Sequence, residues 1–276
     1  MRELLETARR AADAAARIHD RRIGDLDRTT VRDKGHADFV TAVDLESQRA
    51  AVAAIRKTFP DHRILAEEDD ADTPDASAGI PEGEGPIWIV DPLDGTTNFM
   101  NGHPAHCASV GVVLEGRPVA GAVTCAPTAE RWWALEGEGA WRNGERILVT
   151  KGSGDVARDL AGALVGTGFP FKRLPELDAY LPQLGRVLRK SAGVRRGGSA
   201  ALDLCYLACG RLDAFWEGHL APWDVAGGLA VLAGAGGVWS RLDGTPVEDV
   251  AEGGSLLAAS DPALLEALGA VVRGGD

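Results

Sequence analysis

Residues 88–99 read Trp88-Ile89-Val90-Asp91-Pro92-Leu93-Asp94-Gly95-Thr96-Thr97-Asn98-Phe99. The apolar residues from Ile87 to Val90 predict a buried strand that ends at Asp91. Proline fixes one backbone angle and glycine permits a tight turn, so the carboxylates of Asp91 and Asp94 are expected to converge on one point. Carboxylate oxygens and a backbone carbonyl form a set of hard ligands that suits Mg²⁺. This stretch therefore predicts a cation site at the end of a strand.

Two other interpretations of residues 91–96 compete with the cation site. The first is an ordinary turn, because Asp, Pro and Gly are common turn formers. The second is the nucleophile loop of the haloacid dehalogenases, which also contains two aspartates followed by Gly-Thr. That family separates its aspartates by one residue, whereas both Pro92 and Leu93 lie between Asp91 and Asp94. We therefore discount the second interpretation, and the turn stays open on this stretch alone.

Two further acidic residues follow apolar segments elsewhere in the chain. Glu67 comes directly after the predicted strand Ile64-Leu65-Ala66, and Asp224 precedes a predicted apolar helix over 225–233. Strand ends and helix starts are where α/β and related folds place ligand sites. Asp224 is equally suited to capping its helix, because Asp is a preferred N-cap residue. Both acids are candidates for the same cation site.

The composition is that of an ordinary globular protein, with 45% apolar and 25% charged residues in a chain of 276. The net charge of −12 argues against a nucleic-acid-binding surface, and it would repel a phosphate ligand unless bound cations removed the repulsion. No apolar run reaches the roughly 18–20 residues of a membrane span, and the N-terminus lacks a signal-peptide core. We therefore expect a cytoplasmic protein with no membrane or nucleic-acid partner.

The spacing of apolar residues differs between the two halves of the chain. Residues 1–150 contain two helical stretches and then β-branched runs, and the turn formers at Glu115–Pro118 predict an antiparallel hairpin within 107–135. Beyond about residue 155, strands alternate with helices. We expect residues 1–150 to form an α+β half that carries most metal ligands. Residues 151–276 are expected to form an α/β half that completes the site within one structural unit.

The whole of residues 88–99 resembles a signature of the inositol monophosphatase family. The C-terminal signature of that family resembles Trp223-Asp224-Val225-Ala226-Gly227-Gly228. Supporting similarities are Asp38-x-Val40-Thr41-x-x-Asp44, and Gly198-Ser199-Ala200-Ala201 with Asp213-Ala214-Phe215-Trp216-Glu217. The resemblance runs from about Lys34 to Asp261, and two signatures in this order make it specific. It implies an α+β fold, the layered αβαβα arrangement of the sugar phosphatases shared with fructose-1,6-bisphosphatase, and a homodimer.

The resemblance also implies a role for each matching residue. The metal ligands, holding two or three Mg²⁺ ions, would be the side chains of Glu67, Asp91, Asp94 and Asp224 and the carbonyl of Leu93. Thr96 and Glu67 would activate the attacking water, and Asp44 would orient Thr96. The backbone of Gly95 and Thr96 would donate to the phosphate. The positions that line the polyol part of the substrate would be Gly198, Ser199, Ala200 and Glu217.

The activity that the resemblance implies is Mg²⁺-dependent hydrolysis of a small phosphomonoester by metal-activated water. Myo-inositol monophosphate is the first expectation, which would make the enzyme an inositol-phosphate phosphatase. The same chemistry on histidinol phosphate, fructose 1,6-bisphosphate or a 3′-phosphonucleotide stays open, because a fold does not determine a substrate. A catalytically silent binding protein would be indicated by the loss of a ligand acid, and all the matching acids are present. Arg195 and Arg196 either attract phosphate or are ordinary surface charges.

Overall fold

A computed structural model describes residues 1–23, 32–35, 38–40, 42–70, 80, 83–150 and 159–275. Thr41, at the predicted start of the second helix, and much of the sequence between Asp69 and Pro86 lie outside the described residues. No helix within these ranges is long and apolar enough to cross a lipid bilayer.

Helices and strands occupy most of the described residues. The helices are α1 (Arg2–Arg22), α2 (Ala42–Arg56), α3 (Thr96–Met100), α4 (Leu177–Lys190), α5 (Ala200–Ala208), α6 (Pro222–Gly234) and α7 (Pro262–Arg273). The first strands are β1 (Arg32–Gly35), β2 (Asp38–Val40), β3 (Arg63–Ala66), β4 (Ile87–Asp94), β5 (Cys107–Leu114), β6 (Arg117–Cys125) and β7 (Glu130–Leu135). The remaining strands are β8 (Gly139–Arg142), β9 (Glu145–Ile147), β10 (Leu164–Thr167), β11 (Gly193–Arg195), β12 (Ala214–Leu220), β13 (Val238–Ser240) and β14 (Gly254–Ala259). β1 and β2 form a small antiparallel ribbon.

The larger sheet contains seven strands in the order β3-β4-β5-β6-β7-β8-β9. β3 and β4 are parallel, and each later pair is antiparallel. The predicted hairpin is confirmed between β5 and β6, where Glu115 and Gly116 both have positive φ. The prediction of only two strands over 107–135 is nevertheless incomplete, because a third strand, β7, also lies within these residues. A further turn, in which Ala129 has a φ of 53°, separates β6 from β7.

The smaller sheet contains five strands in the order β11-β10-β12-β14-β13. β10 is parallel to β11 and to β12, as an alternation of strands and helices requires. β14 is antiparallel to both β12 and β13, so the sheet is mixed rather than wholly parallel. The reason lies in the connection from β13 to β14, which has a single 3₁₀ turn at Val250–Glu252 and no crossover helix.

The helices form layers against the two sheets, with the apolar core between the layers. α1 and α2 pack against one face of the larger sheet and bury Trp88. α5 and α6 lie between the two sheets. α4 and α7 cover the other face of the smaller sheet, over Trp216 and Leu257. This α-β-α-β-α order confirms the predicted layered α+β fold.

Two glycines allow α6 to lie close to the larger sheet. Gly111 of β5 and Gly121 of β6 are paired across the strands. A Cβ on Gly111 would lie 2.6 Å from the Cβ of Ala226, and one on Gly121 would lie 2.6 Å from that of Ala230. A side chain at either glycine would therefore push α6 away. Because α6 also packs against β4, this close contact helps to position Asp224 in the first turn of α6.

Candidate active site

The end of β4 carries a bulge at the predicted cation site. Asp91 pairs with Ser109 and Asp94 pairs with Cys107, so three steps along β4 match two along β5. Residues three apart in a regular strand point to opposite faces, and the extra residue of a bulge returns them to the same side. Pro92 lies inside the bulge, where its missing N–H costs the ladder no hydrogen bond. The local geometry therefore turns both carboxylates toward one point.

The carboxylates of Asp91, Asp94 and Asp224 come together at this point. One oxygen of each lies within 4.8 Å of the others. Asp224 belongs to the first turn of α6, where its Oδ2 also accepts a hydrogen bond from the Ala221 N–H at 2.6 Å. The N-cap interpretation of Asp224 is wrong, because α6 begins at Pro222 and its N-cap is Ala221. Asp224 is the third residue of the helix, where it accepts from the N-cap N–H and also lies in the acidic cluster.

Glu67 lies beside this cluster. Its N–H donates to the Val90 carbonyl at 3.2 Å, which extends the pairing of β3 with β4 and places Glu67 next to Asp91. Glu67 also lines the same cavity as the three aspartates. The group of carboxylates within 4.8 Å does not include Glu67. The structure thus brings Glu67 to the site, but not into its tightest group.

Burial and mutual repulsion raise the pKa values of these acids. Loss of solvent, followed by the charges of Glu67, Asp94 and Asp224, raises the pKa of Asp91. Burial, followed by the charge of Asp224, raises the pKa of Asp94 to about 7. Burial, followed by the charge of Glu68, raises the pKa of Glu67. The ionised cluster is therefore unfavourable by itself, and a bound cation would stabilise it.

The donor atoms of the cluster fit a hard divalent cation. The three grouped ligands are all carboxylates, which Mg²⁺ prefers to nitrogen or sulfur. Cys107 is close by, but burial, followed by the charge of Asp94, raises the pKa of its thiol. Its sulfur is not among the grouped ligand atoms of the cluster. The site therefore fits Mg²⁺ rather than a thiolate-bound metal.

Thr96 begins α3 directly after the cluster. Its Oγ1 lies 3.0 Å from Asp44 Oδ1 and 3.1 Å from the Leu93 carbonyl oxygen. A carboxylate and a carbonyl only accept, so the Thr96 hydroxyl directs its hydrogen toward them. A lone pair of Thr96 Oγ1 is thereby left to accept a hydrogen bond from another donor, such as water. Asp44, which is buried in α2, sets the direction of this hydroxyl.

Ser199 is a partner of Asp94 that the sequence analysis did not identify. Ser199 Oγ donates to Asp94 Oδ2 at 2.6 Å, and the Ala201 N–H donates to the same oxygen at 2.9 Å. Ser199 is the N-cap of α5, where its Oγ also accepts from the Leu202 N–H at 3.3 Å. The resemblance implied that Ser199 lines the substrate, and the structure additionally directs its hydroxyl hydrogen at Asp94. A serine before an apolar helix signals a cap, but it does not indicate the second partner.

Asn98 is a second residue that sequence reasoning missed. Its Nδ2 donates to the Ala105 carbonyl at 2.6 Å and to the Gly197 carbonyl at 3.0 Å. Asn98 therefore ties the segment after β4 to the segment before α5. Gly95, in the same segment, has a φ of 92°, and a Cβ there would lie 2.8 Å from the Ala105 carbonyl oxygen. Only glycine fits this turn without displacing the backbone.

A cavity of about 1230 Å³ opens beside the acidic cluster. The predicted substrate residues all line it, namely Gly95, Thr96, Gly198, Ser199, Ala200 and Glu217. Asp44 is not part of the cavity wall and contacts Thr96 from behind it. The structure thus brings the predicted phosphate and polyol positions to the same cavity as the acids.

Glu217 extends from β12 into this cavity. It packs so closely on Gly168 that a Cβ on Gly168 would overlap the Glu217 carboxylate. Burial, followed by the charges of Asp224 and Asp203, raises the pKa of Glu217. Within the described part of the chain, the Glu217 carboxylate makes no hydrogen bond and no ion pair, although the charge of Arg196 acts against the rise in its pKa. It is therefore available to a ligand.

The outer part of the cavity is basic and aromatic. The guanidinium carbon of Arg196 lies 5.6 Å from the ring centroid of Phe169 and 5.1 Å from that of Phe171. Lys172 and Arg173 line the same cavity. Arg196 is therefore part of the cavity wall and not an isolated surface charge.

The chain is similar to one protein family over nearly its whole length. Residues 1–274 match the family described as the inositol monophosphatase family. The chain is 39% identical over 251 residues to Nus factor SuhB of Pseudomonas aeruginosa, which covers 89% of this chain and 88% of the relative. It is 37% identical over 271 residues to the inositol-1-monophosphatase of Caulobacter vibrioides, which covers 96% of this chain and 99% of the relative.

Solved structures share the fold. The crystal structure of the extragenic suppressor protein suhB from Bartonella henselae has a TM-score of 0.87 and 31% identity, and covers 99% of this chain and 100% of that chain. SaIMPase-II with inositol monophosphate bound has a TM-score of 0.73 and 27% identity, covering 94% of this chain and 90% of its own. The same protein with 2′-AMP bound has a TM-score of 0.76 and 26% identity, covering 95% and 92%.

The family match spans both sheets and includes the residues that form the acidic cluster. Relatives above 30% identity extend over most of the chain. The chain therefore belongs to the inositol monophosphatase family and is a phosphatase of that superfamily.

Proposed function

We propose that the protein hydrolyses a small phosphomonoester with the help of Mg²⁺, and that myo-inositol monophosphate is its preferred substrate. The observation that carries the proposal is the convergence of Asp91, Asp94 and Asp224, whose carboxylates lie within 4.8 Å of one another. An ordinary turn would account for the first two acids but not for a third from α6. A catalytically silent protein would have no need to keep three carboxylates, two of them buried, in mutual repulsion.

Five groups would hold the cation: Glu67, Asp91, Asp94, Asp224 and the Leu93 carbonyl. When bound, two or three Mg²⁺ ions would supply positive charge that offsets the phosphoryl oxygens and makes water more acidic. The chain itself carries a net charge of −12, so it would repel a phosphate ester without such cations.

The residues next to the cluster position the reacting groups. The Thr96 hydroxyl donates to Asp44, so its lone pair accepts a hydrogen from the attacking water. Glu67, beside Asp91, accepts the proton that this water loses. The first N–H groups of a helix have no hydrogen-bond partner within that helix. Gly95 and Thr96 lie at the start of α3, so their backbone N–H groups are suited to donate to the phosphate. In-line attack then needs no covalent phosphoenzyme.

Glu217 supports a polyol as the alcohol part of the substrate. Its carboxylate lines the cavity and makes no hydrogen bond or ion pair within the described residues. A carboxylate accepts hydrogen bonds from ring hydroxyls, and it would be left unpaired by a substrate that lacks them. SaIMPase-II, which shares the fold, has been crystallised with inositol monophosphate.

A phosphonucleotide is the second candidate substrate. Phe171 is 44% exposed and lies under Arg196 at the outer part of the cavity. An exposed ring beside a guanidinium group suits a planar base, which stacks on aromatic faces. SaIMPase-II has also been crystallised with 2′-AMP. Histidinol phosphate and fructose 1,6-bisphosphate have no comparable feature in their favour among the described residues.

The test is phosphate release from a panel of phosphomonoesters, with Mg²⁺ and with excess EDTA. The panel contains inositol 1-phosphate, 2′-AMP, a 3′-phosphonucleotide, histidinol phosphate, fructose 1,6-bisphosphate and β-glycerophosphate. Relatives with 39% and 37% identity carry different names, so the substrate has to be measured and not transferred. We expect the highest kcat/KM on inositol 1-phosphate and no release in EDTA.

Two variants, assayed on the same panel of substrates, test the roles of individual residues. Phe171→Ala should leave inositol 1-phosphate hydrolysis unchanged, and it should weaken hydrolysis of a nucleotide only if the base stacks on the ring. Asp94→Asn should lower release from every substrate by orders of magnitude. Release that persists in EDTA would refute the metal-assisted mechanism, and no release from any substrate would favour the silent binding protein.

A further inference from the structure

His19 makes a buried hydrogen bond to the segment between two of the proposed ligands. It lies in α1, and its side chain is completely buried. Its Nε2 lies 2.8 Å from the carbonyl oxygen of Pro92. A carbonyl only accepts, so Nε2 carries the hydrogen and donates it. A side chain of the first helix therefore holds the backbone of the β4 bulge.

The peptide group that His19 holds also holds Asp91. The Pro92 carbonyl and the Leu93 N–H belong to one peptide group, and the Leu93 N–H donates to Asp91 Oδ1 at 3.0 Å. A peptide group is planar and rigid, so the direction of its carbonyl determines the direction of its N–H. One hydrogen bond from His19 therefore also orients the donor that holds the Asp91 carboxylate.

The surroundings of His19 show that packing alone does not account for a histidine. The ring packs against Phe99 at 5.9 Å and against His106 at 5.6 Å between centroids. Burial, followed by the charge of His106, lowers the pKa of His19 to about 3, so the ring is neutral. Nδ1 has no hydrogen-bond partner among the described residues. An unpaired buried nitrogen is unfavourable, and a purely apolar contact would be better made by an apolar side chain. The bond to Pro92 is what the histidine contributes.

We propose that His19 is a positioning residue for the cation site. It orients the Pro92–Leu93 peptide, which in turn holds the Asp91 carboxylate in the direction of Asp94 and Asp224. The inference rests on the proposed function, since Asp91 must be a metal ligand for this orientation to matter. Partners that orient the ligands of a metal typically affect its affinity by about 10- to 100-fold.

The experiment compares two variants of similar shape. His19→Gln keeps an N–H donor, whereas His19→Met replaces it by an unbranched apolar side chain. His106→Phe is the control, because His106 packs in the same cluster and neither of its ring nitrogens has a hydrogen-bond partner within the described residues. Mg²⁺ binding is measured by titration calorimetry on the EDTA-treated full chain without substrate. The Mg²⁺-induced rise in Tm of each variant over its own metal-free Tm is a second measurement, which separates weaker binding from lower stability.

We expect His19→Met to bind Mg²⁺ about tenfold or more weakly than the unmodified chain, in line with the loss of an orienting partner. His19→Gln should recover most of the affinity, and His106→Phe should bind normally. Normal binding by His19→Met, or an equal loss in His106→Phe, would overturn the positioning role and leave the proposed function intact. An unmodified chain that binds no Mg²⁺ would overturn the proposed function as well.

Discussion

Ser199 Oγ donates to Asp94 Oδ2 at 2.6 Å, which joins the start of α5 to the end of β4 across 105 residues of sequence. The same serine caps α5. One hydroxyl thus links the stability of a helix in the middle layer to the orientation of a carboxylate in the acidic cluster.

Replacing Ser199 by Ala should therefore affect both stability and cation binding. Loss of the cap and of a hydrogen bond to a carboxylate should lower the free energy of unfolding by about 1–3 kcal/mol. Asp94 would lose a partner that lowers its pKa, so Mg²⁺ should bind more weakly near neutral pH. Denaturant unfolding and Mg²⁺ titration would measure the two effects.

A matched control is available at another helix. Asp261 caps α7 by accepting from the Leu264 N–H at 3.0 Å. Asp261→Ala should lower stability by about 1 kcal/mol and leave Mg²⁺ affinity unchanged. If the two variants lowered Mg²⁺ affinity equally, the effect of Ser199 would be one of general stability and not of its contact with Asp94.

The hydroxyl of Thr96 should matter for turnover more than for binding. Thr96→Ala removes the group that accepts from the attacking water, so kcat should fall by about a hundredfold or more with little change in KM. Thr96→Ser keeps the hydroxyl within reach of Asp44 and should retain most activity. Steady-state kinetics on the best substrate would measure kcat and KM for both variants. An effect confined to KM would assign Thr96 to phosphate binding in the ground state.

The acidic cluster should make the stability of the metal-free chain depend on pH. The pKa of Asp94 is about 7 in the folded chain and roughly 4 in an unfolded one, so the folded state binds its proton more tightly. Its contribution to stability is then fully present below about pH 4 and is lost as the pH rises toward about 7. Mg²⁺ favours the ionised form, so the stabilisation it provides should increase over the same range.

Asp94→Asn tests this dependence, because the amide does not titrate. In EDTA, the variant should gain stability relative to the unmodified chain as the pH is raised from about 5 to about 7.5. With Mg²⁺ at the higher pH, the order should reverse, and phosphate release by the variant should be lower by orders of magnitude. Thermal unfolding with and without Mg²⁺ would measure this. A constant difference across the pH range would show that Asp94 does not titrate there.

Glu217→Gln should reduce activity selectively. Its carboxylate is proposed to accept from hydroxyls of a cyclitol, so kcat/KM on inositol 1-phosphate should fall about tenfold to a hundredfold. Hydrolysis of β-glycerophosphate, which offers fewer hydroxyls, should change little. Parallel assays of both substrates give the comparison. An equal loss on both would make Glu217 a structural residue and leave the substrate class open.

Local patterns in the sequence were sufficient for the elements of the site. The apolar run before Asp91 predicted a buried strand, and the strand is present as β4. Pro92 fixes its own φ angle, and Gly95 can adopt backbone conformations that other residues avoid. A turn between two converging carboxylates was therefore predictable from these residues. The smaller sheet was less predictable. Whether β14 runs parallel or antiparallel to β12 depends on a connection without a crossover helix, which periodicity does not reveal.

Local patterns in the amino-acid sequence were enough to predict which residues could form a cation and phosphate site, because acid type, turn geometry and helix starts are properties of consecutive residues. The contacts that hold those residues in place are visible only in the folded chain. Ser199 meets Asp94 across 105 positions, and His19 meets Pro92 across 73. Such contacts depend on how the larger sheet packs against the layer that contains α1 on one side and the layer that contains α5 on the other. The backbone preferences of neighbouring residues contain no information about that packing, since the side-chain partners come from separate layers.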